Sequence, residues 1–188
     1  MSRLRSWSLV TLCASALALA ACGSAVSAPT TAAPATTTAP AVVSPGAGAS
    51  PEITYIPAQD RSPAGTAGKA PTVVVPPGTP PTNLERADLI VGKGPAAKAG
   101  DKVTVQYVLA TYSTHKVVQS SWTGQPFSFT IGAGQVIPGW DDGVVGMKAG
   151  GRRELIIPPS LGYGDQSPGA GVASNDTLVF VIDVLKIG

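Results

Sequence analysis

GQVIPGWDDGVVGMKAGGRRELIIPPSLGYG, residues 134–164, sets the large apolar side chains Val136, Ile137, Trp140 and Tyr163 among glycines and prolines. It holds no His, no Cys and no acidic pair at helical spacing. A site built from such residues works by shape, exclusion of water and hydrogen bonding rather than by a nucleophile or paired carboxylates. Pro138 suits the first turn of a helix, Asp141 and Asp142 suit its positive end, and Gly150 and Gly151 suit its stop. The spacing therefore predicts one short helix over residues 138–147. A strand over residues 152–157 follows, ended by Pro158 and Pro159.

Outward from this stretch, period-2 alternation predicts strands. Residues 87–91 make a short one. Residues 102–109 place Val103, Val105, Tyr107 and Leu109 on one face. Residues 116–120 form another, and Phe127, Phe129 and Ile131 share a face of the next. Residues 177–187 make a long terminal strand with Leu178, Phe180, Ile182 and Val184 on one side. Five to six strands around one short helix is an α+β architecture in which the sheet covers the helix.

The N-terminus has a different texture. Residues 1–21 combine Arg3 and Arg5 with an apolar, small-residue run, and read as a secretory signal. Leu19-Ala20-Ala21-Cys22 resembles a bacterial lipobox, which implies cleavage before Cys22 and a lipid on its sulfur. The chain has two Cys, Cys13 and Cys22, and the first leaves with the signal. The second then has no disulfide partner, and lipidation accounts for it. Residues 22–68 are rich in Ala, Pro, Thr, Ser and Gly and read as a disordered tether. Within it, residues 52–57 (EITYIP) form a local island able to pack. The folded domain is assigned to residues 69–188, with an extended arm at TVVVPP and a core over 85–188. The predicted location is outside the cytoplasmic membrane, anchored by lipid to the outer face of the cell membrane, or in the periplasm or on the outer membrane of a double envelope.

Composition excludes several classes. Thirteen basic and eleven acidic residues give a formal charge of +2. Losing Arg3 and Arg5 leaves 11 − 11 = 0, so nothing argues for nucleic acid. Arg152 and Arg153 would face opposite sides of a strand and make no patch. With one His in the chain, His115, a structural zinc site is not expected. His115 lies in a polar YSTHK segment that reads as a turn. No phosphate-binding glycine motif is present. Neither cofactor nor metal is predicted. Taken alone, Phe127, Val136 and Phe180 read as ordinary core and Trp140 as helix-to-sheet packing.

Tyr107 in VQYVL, Phe127 and Phe129 in PFSF, Val136, Ile137 and Trp140 in GQVIPGW, Met147 in GMKAG, Tyr163 in IPPSLGYG and Phe180 in LVF fall in the order of an FKBP domain, and residues 85–188 resemble that family without large gaps. The resemblance implies a bent antiparallel sheet wrapped around a short helix, and peptidyl-prolyl cis–trans isomerase activity needing no cofactor. It implies a pocket lined by Tyr107, Phe127, Val136, Ile137, Trp140, Tyr163 and Phe180, with Trp140 as its floor. The backbone N–H of Ile137 and the hydroxyl of Tyr163 would donate to carbonyls flanking a substrate proline. Implied partners are proline-containing polypeptides and tacrolimus- or rapamycin-type macrolides, with a monomer as the default state. Two positions depart from the family. Val118 stands where an aromatic is usual, and Gln119 where an aspartate normally accepts a hydrogen bond from the tyrosine matching Tyr107. Val118 is expected to open the pocket wall, and Gln119 to keep an acceptor without its charge. A weakly active or inactive proline-peptide binding module is the alternative these departures favour.

Overall fold

A computed structural model describes residues 52–57 and 60–188. The predicted signal, the lipobox Cys22 and the tether as far as residue 51 lie outside the described residues.

The elements in chain order are β1 (Ile53–Tyr55), β2 (Leu84–Ile90), β3 (Lys102–Thr111), β4 (Lys116–Ser120), β5 (Phe127–Thr130), α1 (Pro138–Val144), β6 (Arg152–Ile157), a 3-10 turn (Pro159–Leu161) and β7 (Leu178–Ile187). They form one seven-stranded sheet in the order β1-β2-β6-β7-β3-β4, with β5 also paired to β3. The long β3 and β7 are its spine, in antiparallel register from Val103↔Ile187 to Thr111↔Leu178. A register shift between Thr104 and Val105 marks a bulge there, a device that bends a strand.

The sheet has one strand more than the five to six expected, and it is not wholly antiparallel. The addition is β1, which pairs parallel to β2 from Ile53↔Leu84 to Tyr55↔Arg86. Its residues, and residues 60–68, belong to the stretch assigned from sequence to the tether, yet they are docked on the domain. The helix also ends earlier than expected, at Val144 rather than Met147. Gly146 turns the chain at φ 81. Met147 N–H then bonds Val144 O, and the Met147 side chain enters the core.

The two faces of the sheet bury different things. The concave face packs Val103, Val105, Tyr107 and Leu109 of β3, Leu155 and Ile157 of β6, and Leu178, Phe180, Ile182 and Val184 of β7 around α1. The helix lies very close to β6. A Cβ at Gly139 would fall 2.4 Å from Ile157 Cγ2, and one at Gly143 2.5 Å from Leu155 Cδ1. Only glycine permits that approach.

The convex face carries Ile156, Val179, Ala87 and Tyr112, covered by Ile56, Val73 and Val75 of the N-terminal strap. Beside them lies a buried polar group. Arg152 forks onto Asp183, with Nε–Oδ1 at 2.6 Å and Nη2–Oδ2 at 2.8 Å. Its remaining donors reach Ala64 O and Lys69 O of the strap. The carboxylate of Glu154 accepts the Ser62 N–H at 2.8 Å. Arg153 points the other way, onto Asp88. The two arginines therefore do face opposite sides, but both are buried, because each has a carboxylate partner and backbone carbonyls to complete its donors.

Candidate functional site

Trp140 projects from α1 into the concave face and is fully buried. Four aromatic rings surround it: Phe180 at 5.1 Å between centroids, Tyr107 at 5.2 Å, Phe129 at 5.5 Å and Phe127 at 6.1 Å. The Tyr107, Phe127 and Phe180 rings stand nearly perpendicular to the indole, at 81°, 66° and 84°. Edge-to-face contacts of this kind satisfy the ring quadrupoles and hold each ring in one orientation. Val136, Ile137 and Tyr163 belong to the same buried cluster, while Phe127 is partly buried against its margin.

The structure thus brings together all seven residues that the sequence placed in a pocket. It adds Phe129, which the sequence reading quoted in its motif but did not assign to the site. The sequence reading did place Phe127 and Phe129 on one strand face, and their rings stack at 5.8 Å.

The loop before α1 is fixed by hydrogen bonds from both sides. Gln135 Oε1 accepts the Thr130 N–H, and Asp141 Oδ1 accepts the Gly132 N–H, both at 2.8 Å. Gly132 and Gly134 turn it at φ 78 and 63. Asp141 thereby ties the loop to the helix as well as sitting in its first turn. Ile137 closes the loop as the residue before the helix, in extended conformation. Its carbonyl accepts from Trp140 N–H and Asp141 N–H. Among the described residues its own N–H makes no hydrogen bond, so it remains a donor at the edge of the aromatic cluster.

The hydroxyls are strongly shielded. Burial pushes Tyr107 up to about 12. Burial first, and the neighbouring Tyr107 second, raise Tyr163 above the ordinary tyrosine value. Both are therefore neutral donors at physiological pH. Tyr107 Oη and Trp140 Nε1 are buried with no hydrogen-bond partner among the described residues. Leaving such donors unpaired costs about 1–3 kcal/mol each.

At the two departures, Gln119 pairs in register with Leu109. It does not take up the expected bond from Tyr107, whose hydroxyl has no partner. Val118 is partly buried against the core. A Cβ on Gly171 would lie 3.1 Å from Val118 Cγ1, so the loop around the Gly169↔Val172 bridge sits close against this wall. The small side chain at 118 is matched by a loop that approaches it, which offsets the opening expected from sequence. His115 lies exposed in the β3–β4 turn at φ 56, away from this cluster. No group of three His, Cys, Asp or Glu suited to a metal occurs among the described residues.

Residues 94–185 match the FKBP-type peptidyl-prolyl cis-trans isomerase family. The chain is 50% identical over 119 residues to an FK506-binding protein of Streptomyces anulatus, covering 62% of this chain and 96% of that protein. It is 41% identical to a probable FK506-binding protein of Corynebacterium glutamicum, covering 62% and 97%. Against the 39 kDa FK506-binding nuclear protein of Drosophila melanogaster it spans only 28% of the relative's length. Among solved structures, AtFKBP13 superposes with a TM-score of 0.51 at 36% identity, covering 58% of this chain and 96% of that one. FkpA from Escherichia coli gives 0.51 at 38% identity, covering 56% and 48%. With two relatives covered almost end to end and a solved structure of the family sharing the fold, the chain belongs to the FKBP-type peptidyl-prolyl cis-trans isomerase family.

Proposed function

We propose that the chain is a peptidyl-prolyl cis–trans isomerase that accepts an X-Pro segment of an exported polypeptide at the aromatic cluster around Trp140. The carrying observation is the buried indole ringed by four aromatics, with a spare backbone donor at Ile137 on its edge. Rotation about a peptide bond meets a barrier of about 18–20 kcal/mol because the C–N bond is partly double. Twisting it breaks amide resonance and leaves less charge on the carbonyl oxygen. The twisted form therefore gains relative to the planar forms in a dry aromatic surround. A site that binds the twisted proline better than either planar isomer accelerates rotation by differential binding. In this chain Trp140 and Phe180 receive the ring, Tyr107 and Phe127 flank it, and Ile137 N–H and Tyr163 Oη hold the adjoining carbonyls. No residue changes protonation during the reaction. FK506-type macrolides would compete for the same cluster.

The test is the exchange rate of an Xaa-Pro tetrapeptide with and without the protein. Acceleration that macrolide abolishes supports the proposal, and no acceleration at any protein concentration overturns it. Val118 and Gln119 favour a second reading, a module that holds proline segments and turns over slowly; macrolide binding without acceleration would select it. Export and lipid attachment at Cys22 complete the proposal, supported by the lipobox-like Leu19-Ala20-Ala21-Cys22. Labelled palmitate fed to expressing cells is expected to mark the wild-type chain and not Cys22→Ala.

A further inference from the structure

The helix that carries Trp140 has seven residues and no basic residue in its last turn, so its final carbonyls need partners from outside. Arg153 of β6 supplies them. Its Nη1 donates to Gly143 O at 2.7 Å and to Val145 O at 3.0 Å. The other edge of the guanidinium is held by Asp88 of β2, with Nε–Oδ1 at 2.6 Å and Nη2–Oδ2 at 3.1 Å. Arg153 is buried, whereas the Asp88 side chain is one-third exposed.

Two more contacts lie on the same face of β6, because Arg153, Leu155 and Ile157 alternate with residues facing the strap. Leu155 meets the helix at Gly143 and Ile157 meets it at Gly139, each at a bare Cα. Those two contacts set how high the helix rides above the strand. These side chains seat in the glycine notches and limit sliding sterically, but they make no hydrogen bond to the helix. The directional bonds from Arg153 to Gly143 O and Val145 O add a polar anchor at its C-terminal end.

We propose that Arg153 is a positioning residue for the proline site. By anchoring the C-terminal end of α1, it sets the depth and tilt of the Trp140 ring in the aromatic cluster. The planar fork of a guanidinium can serve a carboxylate on one edge and two carbonyls on the other, which the point charge of a lysine cannot. Arg153 acts only through the helix, and the inference rests on the reading of the cluster as a proline site.

The experiment uses the full chain with Trp7→Phe and Trp122→Phe, leaving Trp140 as the sole tryptophan of the original three. Arg153→Lys and Asp88→Asn are compared in that background by near-UV circular dichroism, Trp140 emission, melting temperature and tetrapeptide isomerisation. The expected result is an altered Trp140 spectrum in both variants with far-UV dichroism retained. With it, kcat/KM per folded molecule falls about tenfold for Arg153→Lys and about threefold for Asp88→Asn. An unchanged Trp140 spectrum and unchanged kcat/KM, with only a lower melting temperature, would mean Arg153 merely stabilises, and overturns the proposal. If the parent chain itself does not isomerise proline, the function reading fails separately. The Trp140 spectra then still decide the role of Arg153. If Arg153→Lys does not fold, Asp88→Asn carries the same readouts from a partly exposed position.

Discussion

The concave and convex faces of the sheet are both buried, but they are filled differently. On the concave face the interior is aromatic, and two donors, Tyr107 Oη and Trp140 Nε1, have no partner among the described residues. On the convex face, Arg152, Glu154 and Asp183 are buried charges, and the strap supplies backbone groups to Arg152 and Glu154. The contrast is one of degree, since Arg153 on the helix side is also paired, to Asp88, and Glu154 Oε1 on the strap side has no partner among the described residues. Substitutions on each face are expected to show the difference.

The largest effect is expected on the convex face. Arg152→Met leaves Asp183 buried without its partner and strands two strap carbonyls. Breaking one side of a buried pair costs about 3–5 kcal/mol, read as a lower denaturation midpoint, while isomerase activity per folded molecule stays at the wild-type level. If activity falls in proportion, the faces are not separable. Next is Gly143→Ala, where the added methyl meets Leu155 at 2.5 Å. Overpacking of this kind costs about 1–3 kcal/mol. It lifts α1 off β6, so both the midpoint and kcat/KM should fall.

Tyr163→Phe probes the concave face alone. Losing one hydrogen bond of about 1.5 kcal/mol is expected to lower kcat/KM by about tenfold, with little change in the midpoint. An unchanged rate would remove Tyr163 from the site. The same residues give an alkaline signature. Tyr107 and Tyr163 have folded values raised above the unfolded 10, so the folded state retains protons that the unfolded chain releases. Their contribution is intact below pH 10 and is lost as pH rises from there through about 12. Denaturation midpoints measured across that window should show a shallower fall in Tyr163→Phe. The smallest change is expected from Val118→Phe with Gln119→Asp. Restoring the usual residues raises turnover a few-fold at most, because Gly171 crowds position 118. No rise in the tetrapeptide rate would make the departures irrelevant.

Much of the concave face was legible in the sequence because its pattern is local. β4 and β6 fall where alternation puts them, and every residue assigned to the pocket lies in or against one cluster. The helix end was less legible, since Met147 leaves the helix to fill the core, and no local propensity signals that. The convex face was the least legible. Residues 52–57 look like a scrap of β-former inside a Pro/Ala/Thr tether, and their partner β2 lies far along the chain. Arg152 reads only as one of two arginines on opposite strand faces until Asp183 and two backbone carbonyls are brought to it by the fold. Glu154 is similar. Burial raises its carboxyl above the usual range, and hydrogen bonding from Ser62 offsets only part of that rise, a balance set by tertiary contacts alone.

The parallel pairing of β1 with β2 also gives the domain a mechanical direction. Tension reaching Glu52 along the axis of β1 would load the three register pairs Ile53↔Leu84, Thr54↔Glu85 and Tyr55↔Arg86 together, in shear. The same tension applied across the sheet would open them one after another, like a zipper. Yielding by either route would first strip the edge and the convex face, and would leave the Trp140 cluster on the other side of the sheet as the last part to feel the pull.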